Sequence, residues 1–432
     1  MLASVLCLAL AAADGGDPLA GAAERIRAHR SGDLVVTVVD ARGAPVPGAS
    51  VAVAQTRHDF LFGCNIFAFG AFAEPAREEA YRARFKELLN FATLPFYWAS
   101  YESTRGKPQY ERTAAVAAWC AANGIAVKGH PLAWNHPAGV PAWLPAAPEE
   151  SGPLLMARIE ACVRRFRGVV DVWDVVNEAA DPYRFDERLQ IADLMKSIGV
   201  EKYLLESFAA ARKANPEARL LINDYRVDDT YARVIDMLAP GGARVYDYIG
   251  IQSHMHDGGW PAARVLKVCD RFARFGVPLQ FTETTLVSGP RLQAGRWGPS
   301  EPALEERQAR DAVEFYTAVF SHPATTALTW WDFSDAHAWQ GAAAGFLRRD
   351  CSPKPVYDAL KGLIKGEWWT AAALAADGAG KAATPVFFGS HMITVKTPAG
   401  VKARAAVQFP RPWPPPSLER ARKEITIVVP AP

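Results

Sequence analysis

The sequence lacks the groupings of cysteine and histidine that hold metals. Its six cysteines, Cys7, Cys64, Cys120, Cys162, Cys269 and Cys351, form no CxxC pair and no Cys/His cluster. That spacing argues against a zinc site and supplies no disulfide framework, so buried thiols are expected, with room for one fortuitous bridge. No metal and no cofactor are expected. An excess of one charge is also lacking: 48 basic and 46 acidic residues leave a net charge of +2. Neither nucleic acid nor an anionic membrane surface has a reason to bind such a chain. Past the N-terminus no run approaches the ~20 apolar residues of a membrane span. No Gly-rich phosphate loop follows the first strand-like segment, which counts against a doubly wound nucleotide-binding sheet.

What is present is a large globular core. The chain has 432 residues, of which 50% are hydrophobic and 22% charged. That is enough for one large α/β barrel and a small accessory unit. Thirteen Trp are unusually many, and several stand near carboxylates. Sugars present flat C–H faces that stack on indole rings, so this clustering points toward carbohydrate. The first residues, MLASVLCLALAAADGGD, have an apolar run followed by Ala-x-Ala at Ala11 and Ala13, with no Lys or Arg ahead of it. A signal peptide over 1–13 is expected, and with it a secreted or periplasmic protein. Leu6 is too large to make Cys7 part of a lipoprotein box.

From 58 to 365 one theme repeats: a short β-rich run, then an amphipathic helical stretch. The strand candidates are DFLFGCNIF, FATLPFYW, AVKGHPLAW, DVWDVVNEA, RLLINDY, YIGIQSH, PLQFTET and ALTWWDF. Between them EEAYRARFKELLN, LLMARIEACVRRF and PAARVLKVCDRFARFG carry apolar residues at helical spacing. Alternation of this kind makes right-handed βαβ units and a parallel sheet, and eight of them predict an α/β (β/α)8 TIM barrel. The chemistry of such a barrel sits at the C-terminal strand ends. The odd polar residues fall there: His130 and Trp134 after strand three, Asn177 and Glu178 after four, Asn223 to Tyr225 after five. Gln252 and His254 end strand six, Glu283 ends seven, and Trp331 with Asp335 ends eight. Gln252 and His254 stand at i, i+2, so on a strand both point into the cleft. Trp330, alternating with Trp331, is assigned to packing.

Glu178 and Glu283 end strands that lie across the barrel mouth from each other. Two facing carboxyls can divide labour over a glycosidic bond, one attacking the anomeric carbon while the other handles the proton. Their surroundings must then hold their pKa values apart. Gln252 and His254 are the expected donors to Glu283, which keep it ionised, and Glu178 is the expected acid. Asn177 can donate its amide to a sugar hydroxyl.

The flanks differ from the barrel. Residues 33–57 read as a β hairpin with a Gly/Pro turn, and 366–432 as short strands with turn signals. Together they resemble the two halves of a transthyretin-like sandwich, so a small β-sandwich-like accessory unit is expected from the N- and C-terminal flanks. FPRPWPPPS is too rich in proline for a central strand. Trp368, Trp369 and Trp413 are assigned to sandwich core or lid.

The motifs WDVVNEA, FTET, GHPLAW, INDY, GIQSH and the W-x3-D-x3-W of Trp331, Asp335 and Trp339 occur in one order. They resemble glycoside hydrolase family 10, the retaining endo-β-1,4-xylanases, over about 59–364. The resemblance implies Glu178 as acid/base and Glu283 as nucleophile. It further implies that His130, Trp134, Asn135, Asn177, Tyr225, Gln252, His254, Trp331, Trp339 and Trp98 line a cleft for a xylan-type polysaccharide. A sugar-binding barrel without turnover, or a retaining enzyme on another β-glycan, is the alternative. The pattern departs from the family after strand two. The usual T-P-E-N-E-M-K-W is replaced by the shorter TLPFYW of 93–98, although Trp98, Glu102 and Gly106 keep the family's W-x3-E-x3-G. Asn135 stands where the family has His, and Thr284 and Thr285 replace Leu-Asp. Phe96, Tyr97 and Trp98 are therefore expected to stack on a sugar, or to leave room for a decorated xylose, in place of the lost polar grip.

Overall fold

The computed structural model describes residues 16–185, 189–415 and 420–430. The expected signal peptide lies outside them. Two compact units divide the chain: Phe62–Ala312 with Ala324–Tyr357, and Ala13–Leu61 with Val313–Pro323 and Asp358–Pro432.

The first unit is a closed (β/α)8 barrel. Its strands, one to eight, are Leu61–Asn65, Phe91–Pro95, Ala126–His130, Val172–Asn177, Arg219–Asp224, Tyr248–Met255, Leu279–Leu286 and Thr325–Trp330. Neighbours pair in parallel in chain order, strand eight returns to strand one, and strand three meets strand four at Gly129 and Trp173. Only glycine fits at that closure, because a Cβ on residue 129 would stand 2.2 Å from the Trp173 ring. The strands read as apolar runs because both faces are covered; every residue of strand seven is buried. Helices such as Pro75–Leu88, Pro148–Arg165, Val200–Ala214 and Ala262–Ala273 run between the strands. The helices Leu189–Ile198 and Pro302–Ser321 lie outside the helical stretches named from the sequence.

The second unit has two sheets. Ser31–Val39 lies between Lys381–Phe387, antiparallel, and Arg422–Val428, parallel. Ser50–His58 lies between Ala371–Ala375 and Gly389–Lys396, with Lys402–Phe409 at the far edge. Strands from the N-terminal flank thus pair with strands from the C-terminal flank. The expected hairpin over 33–57 is corrected. A tight turn closes through Val39 and Pro45, but the second strand then continues into the other sheet. The physical reason is burial: Leu34, Val36 and Val38 from one sheet meet Val51, Val53, Ile393 and Val395 from the other in one apolar cluster. A paired hairpin would leave one of those faces in water. Trp368 is buried, whereas Trp413 is exposed and so belongs to no core.

The five described cysteines are buried and none is joined to another in a disulfide. Among the described residues no helix is long and apolar enough to cross a membrane.

Candidate active site

A regular strand sends neighbouring side chains to opposite faces, yet the rim needs neighbours to face the same way. Strand four meets this with its backbone. Glu178, directly after the strand, adopts a left-handed φ of 58°, a conformation non-glycine residues hold only when their surroundings enforce it. Its N–H donates to the Asn223 carbonyl at 2.9 Å, and the Asp224 carboxylate accepts from Ala180 N at 2.8 Å just beyond. Asn177 and Glu178 can then both reach Gln252. Strand seven uses a bulge instead: its register against strand six shifts between Phe281 and Glu283. Thr282 and Glu283 can therefore both reach Asn223.

The two carboxyls are joined by three amides. Asn223 Nδ2 donates to Glu283 Oε1 at 2.7 Å and to Asn177 Oδ1 at 2.8 Å. Gln252 Nε2 donates to Asn177 Oδ1 at 3.2 Å and to Glu178 Oε1 at 3.1 Å. The ionised Glu283 only accepts, so every amide orientation follows from it. Asn177 must turn its Nδ2 toward Glu178, at 3.5 Å. Gly250 makes room for this bridge, since a Cβ there would lie 2.4 Å from Asn223 Oδ1.

The electrostatic settings differ. Glu283 lies 3.1 Å from His254 Nε2 and 3.8 Å from His130 Nε2. His130 Nδ1 and Lys128 Nζ both meet Asp174 Oδ2 at 2.7 Å in a buried relay. Burial alone would raise the Glu283 carboxyl, but His130, the His254 hydrogen bond and the Lys128 cation outweigh it and hold the group below its ordinary value. Glu178 is pushed the other way, chiefly by burial and next by the Glu283 charge. The Gln252 hydrogen bond and Arg184, 3.8 Å away, oppose that shift. Burial also lifts Asp224 to about 7. His254 Nε2 must carry its proton to donate to Glu283, so in the neutral ring Nδ1 accepts from the Thr285 hydroxyl at 2.8 Å.

Of the expected residues, His130, Asn177, Gln252 and His254 gather around the carboxyls. Gln252 serves Glu178, however, and the amide partner of Glu283 is Asn223. The Trp331 ring stands 5.3 Å from His130 and 5.8 Å from His254. Trp339 lies 4.6 Å from His254 and is 43% exposed. Trp134 stacks on His136 at 3.8 Å. Asn135 donates to the Pro182 carbonyl and Tyr225 to Asp181, at 2.7 and 2.9 Å, so both hold the loop after Glu178 and bond neither catalytic candidate.

Trp98 is corrected. It is 2% exposed and offers no stacking face. Its Nε1 donates to Glu102 Oε2 at 2.9 Å, Glu102 Oε1 accepts from Gly106 N at 2.6 Å, and Arg158 lies over its ring. The W-x3-E-x3-G pattern is thus a structural clip. Phe96 is fully buried too, against Trp173 and Phe166. Of the three aromatics only Tyr97 turns to the site, half-buried with its ring 5.6 Å from His130 and 5.9 Å from Trp134. Burial, then Glu283 and Glu178, raise its hydroxyl well above the ordinary value.

Sequence reasoning missed Lys128, Asp174 and Arg184. A charge inside a parallel strand was the available signal for the first two, because such charges are almost never buried unless paired. Arg184 sits in a loop with no local signature. Among the described residues no group of His, Cys, Asp and Glu could hold a metal ion.

Fold and site together define a (β/α)8 barrel with a carboxyl pair at its C-terminal rim. A family model described as glycosyl hydrolase family 10 matches residues 56–362, and the chain belongs to that family. Over 384 residues it is 26% identical to the anti-sigma-I factor RsgI6 of Acetivibrio thermocellus, covering 87% of this chain and 46% of that protein. The chain thus spans just under half the length of that relative. Endo-1,4-beta-xylanase B of Thermotoga neapolitana is 28% identical over 284 residues, 62% of this chain and 78% of that one. In fold the chain is similar to xylanase 10B from Thermotoga petrophila RKU-1 in complex with xylobiose. The TM-score is 0.62 at 24% identity, over 72% of this chain and 95% of that one.

Proposed function

We propose that the chain is a retaining glycoside hydrolase acting on β-1,4-linked plant polysaccharide, as an endo-β-1,4-xylanase. The observation that carries this reading is the opposite pull on two carboxyls tied into one amide network: Glu283 held low, Glu178 held high. That division suits double displacement. Glu283 attacks the anomeric carbon while Glu178 gives its proton to the leaving oxygen. Once Glu283 is esterified its negative charge is gone, and part of what held the Glu178 proton goes with it. Glu178 is then suited to take a proton from water as the covalent intermediate hydrolyses. Asn177, its oxygen occupied by Asn223 and Gln252, keeps Nδ2 for a sugar hydroxyl. Trp339 and Tyr97 offer rings to the sugars, and Trp331, only 4% exposed, backs His130 and His254. An apolar leader, if it acts as an export signal, would carry the enzyme to its polymer.

A 2-deoxy-2-fluoro xylobioside with a good leaving group tests the mechanism. Peptide mapping is expected to find the sugar on Glu283; a label elsewhere, or a product of inverted anomeric configuration, overturns it. A second reading, a sugar-binding barrel without turnover, draws on the rebuilt strand-two rim and on the RsgI6 relative, named for regulation. It predicts sugar binding with no label. Rates on plain xylan, decorated xylans and mixed-linkage glucan separate the remaining β-glycan alternatives.

A further inference from the structure

The barrel has a second concavity that the proposed reaction leaves unused. It has a volume of about 570 Å³, and its lining includes Trp297, Ser300, Glu305, Asp335, Arg348 and Arg349. Trp297 comes from a small hairpin after strand seven, Arg291–Gln293 paired with Arg296–Trp297. The other side is the loop after strand eight.

The lining is firmly built and its acids are spent. Arg348 reaches both oxygens of Glu305, at 3.0 and 2.5 Å, and Ser300 donates to the same carboxylate at 2.8 Å. Asp335 is paired with the buried Lys354 at 2.8 Å, and Lys354 also donates to Ser288 at 2.9 Å. Arg349 is left over. It is exposed, and no acidic partner of its guanidinium is found among the described residues. Arg348 keeps 42% of its side chain accessible. The two acids and two arginines of the lining balance, and the buried Lys354 behind Asp335 leaves Arg349 as the charge in excess, beside an indole.

A series of rings leads from it toward the reacting carboxyls. The Trp297 ring is 4.9 Å from His256, His256 is 5.8 Å from His254, and His254 Nε2 is 3.1 Å from Glu283. Trp339 stands 5.4 Å from His256, beside this series of rings. A polysaccharide backbone seated at Glu283 would pass these rings, and a branch could turn behind them.

We propose that the cavity receives a uronic acid branch of the substrate, its carboxylate on Arg349 and the open edge of Arg348, its ring against Trp297. A guanidinium fork matches a carboxylate with two parallel hydrogen bonds. A neutral pentose branch would leave that charge unused. The inference rests on the glycanase reading above.

The test is titration calorimetry on the Glu178→Gln chain, which compares an unbranched xylo-oligosaccharide with one of equal backbone length bearing a glucuronic acid branch. The branched sugar is expected to bind about tenfold tighter at low salt, with the margin narrowing as salt rises. Adding Arg349→Gln is expected to erase the margin; Trp297→Phe is expected to keep most of it. Equal affinities, or a margin that survives Arg349→Gln, overturn the cavity's role. If the native chain still cleaves plain xylan in that case, only this inference falls. If neither sugar binds and plain xylan is untouched, the glycanase reading falls with it.

Discussion

The two sides of the rim are made of different matter. Strands four to seven present amides, an imidazole and carboxyls, linked by hydrogen bonds of 2.7–3.2 Å from Glu283 to Glu178. Strand two presents rings, two of them turned inward to packing and only Tyr97 toward the site. The difference separates two tasks. Moving a proton and stabilising charge require dipoles held in fixed places in a low dielectric, which leaves little latitude. Holding a sugar away from the reacting bond can be done by hydrogen bonds or by stacking, so that side of the rim can be rebuilt.

The largest effect should come from the polar side. Glu283→Gln is expected to lower kcat more than about 10⁴-fold, and Glu178→Gln by about 10² to 10⁴-fold; steady-state rates on xylan check both. Activity surviving either change would mean the chemistry lies elsewhere.

Lys128→Met should cost about 3–5 kcal/mol of stability, because Asp174 is left as a buried charge without its cation. Urea denaturation reads that loss. The same change removes a charge that lowers Glu283, so the acid limb of kcat/KM should move up in pH. Under the proposed mechanism the native chain needs Glu283 ionised and Glu178 protonated. The acid limb should therefore fall below the ordinary glutamate range and the alkaline limb above it.

The aromatic side separates by partner. Trp98→Ala empties a buried site and should cost about 3–5 kcal/mol of stability. Tyr97→Ala should cost less stability than Trp98→Ala and in addition weaken sugar binding by about 0.5–1.5 kcal/mol, seen as a higher KM. If Trp98→Ala raised KM with stability intact, the clip would be a platform after all.

Gly250→Ala is the finest probe. Its Cβ would crowd Asn223 Oδ1, so kcat should fall about tenfold with the fold preserved, which circular dichroism can verify. An unchanged kcat would mean the amide bridge tolerates displacement.

Much of this was legible before any coordinates. Eight apolar runs alternating with amphipathic helices can bury both faces of every strand in few ways, and the polar strand ends mark the rim. Gln252 and His254 declared their shared side through i, i+2 spacing. Tyr97 and Trp98 were indistinguishable as adjacent aromatics, because which one turns inward depends on Glu102 and Arg158, partners at 4 and 60 residues' remove. The expected hairpin failed for a similar reason: a Gly/Pro turn specifies a reversal of the chain, but not which sheet takes the strand that follows.

By itself, then, the sequence determined the barrel, the flanking β-unit and the two carboxyls, since burial periodicity and residue chemistry are local properties. Only the tertiary structure decided what holds Glu178 high and Glu283 low, and that Asn223 rather than Gln252 serves Glu283, because both depend on groups from other strands. His130 stands 3.8 Å from Glu283, and Lys128 acts on it through its charge, both from strand three. The left-handed turn at Glu178 and the bulge before Glu283 likewise exist because a closed barrel holds them there.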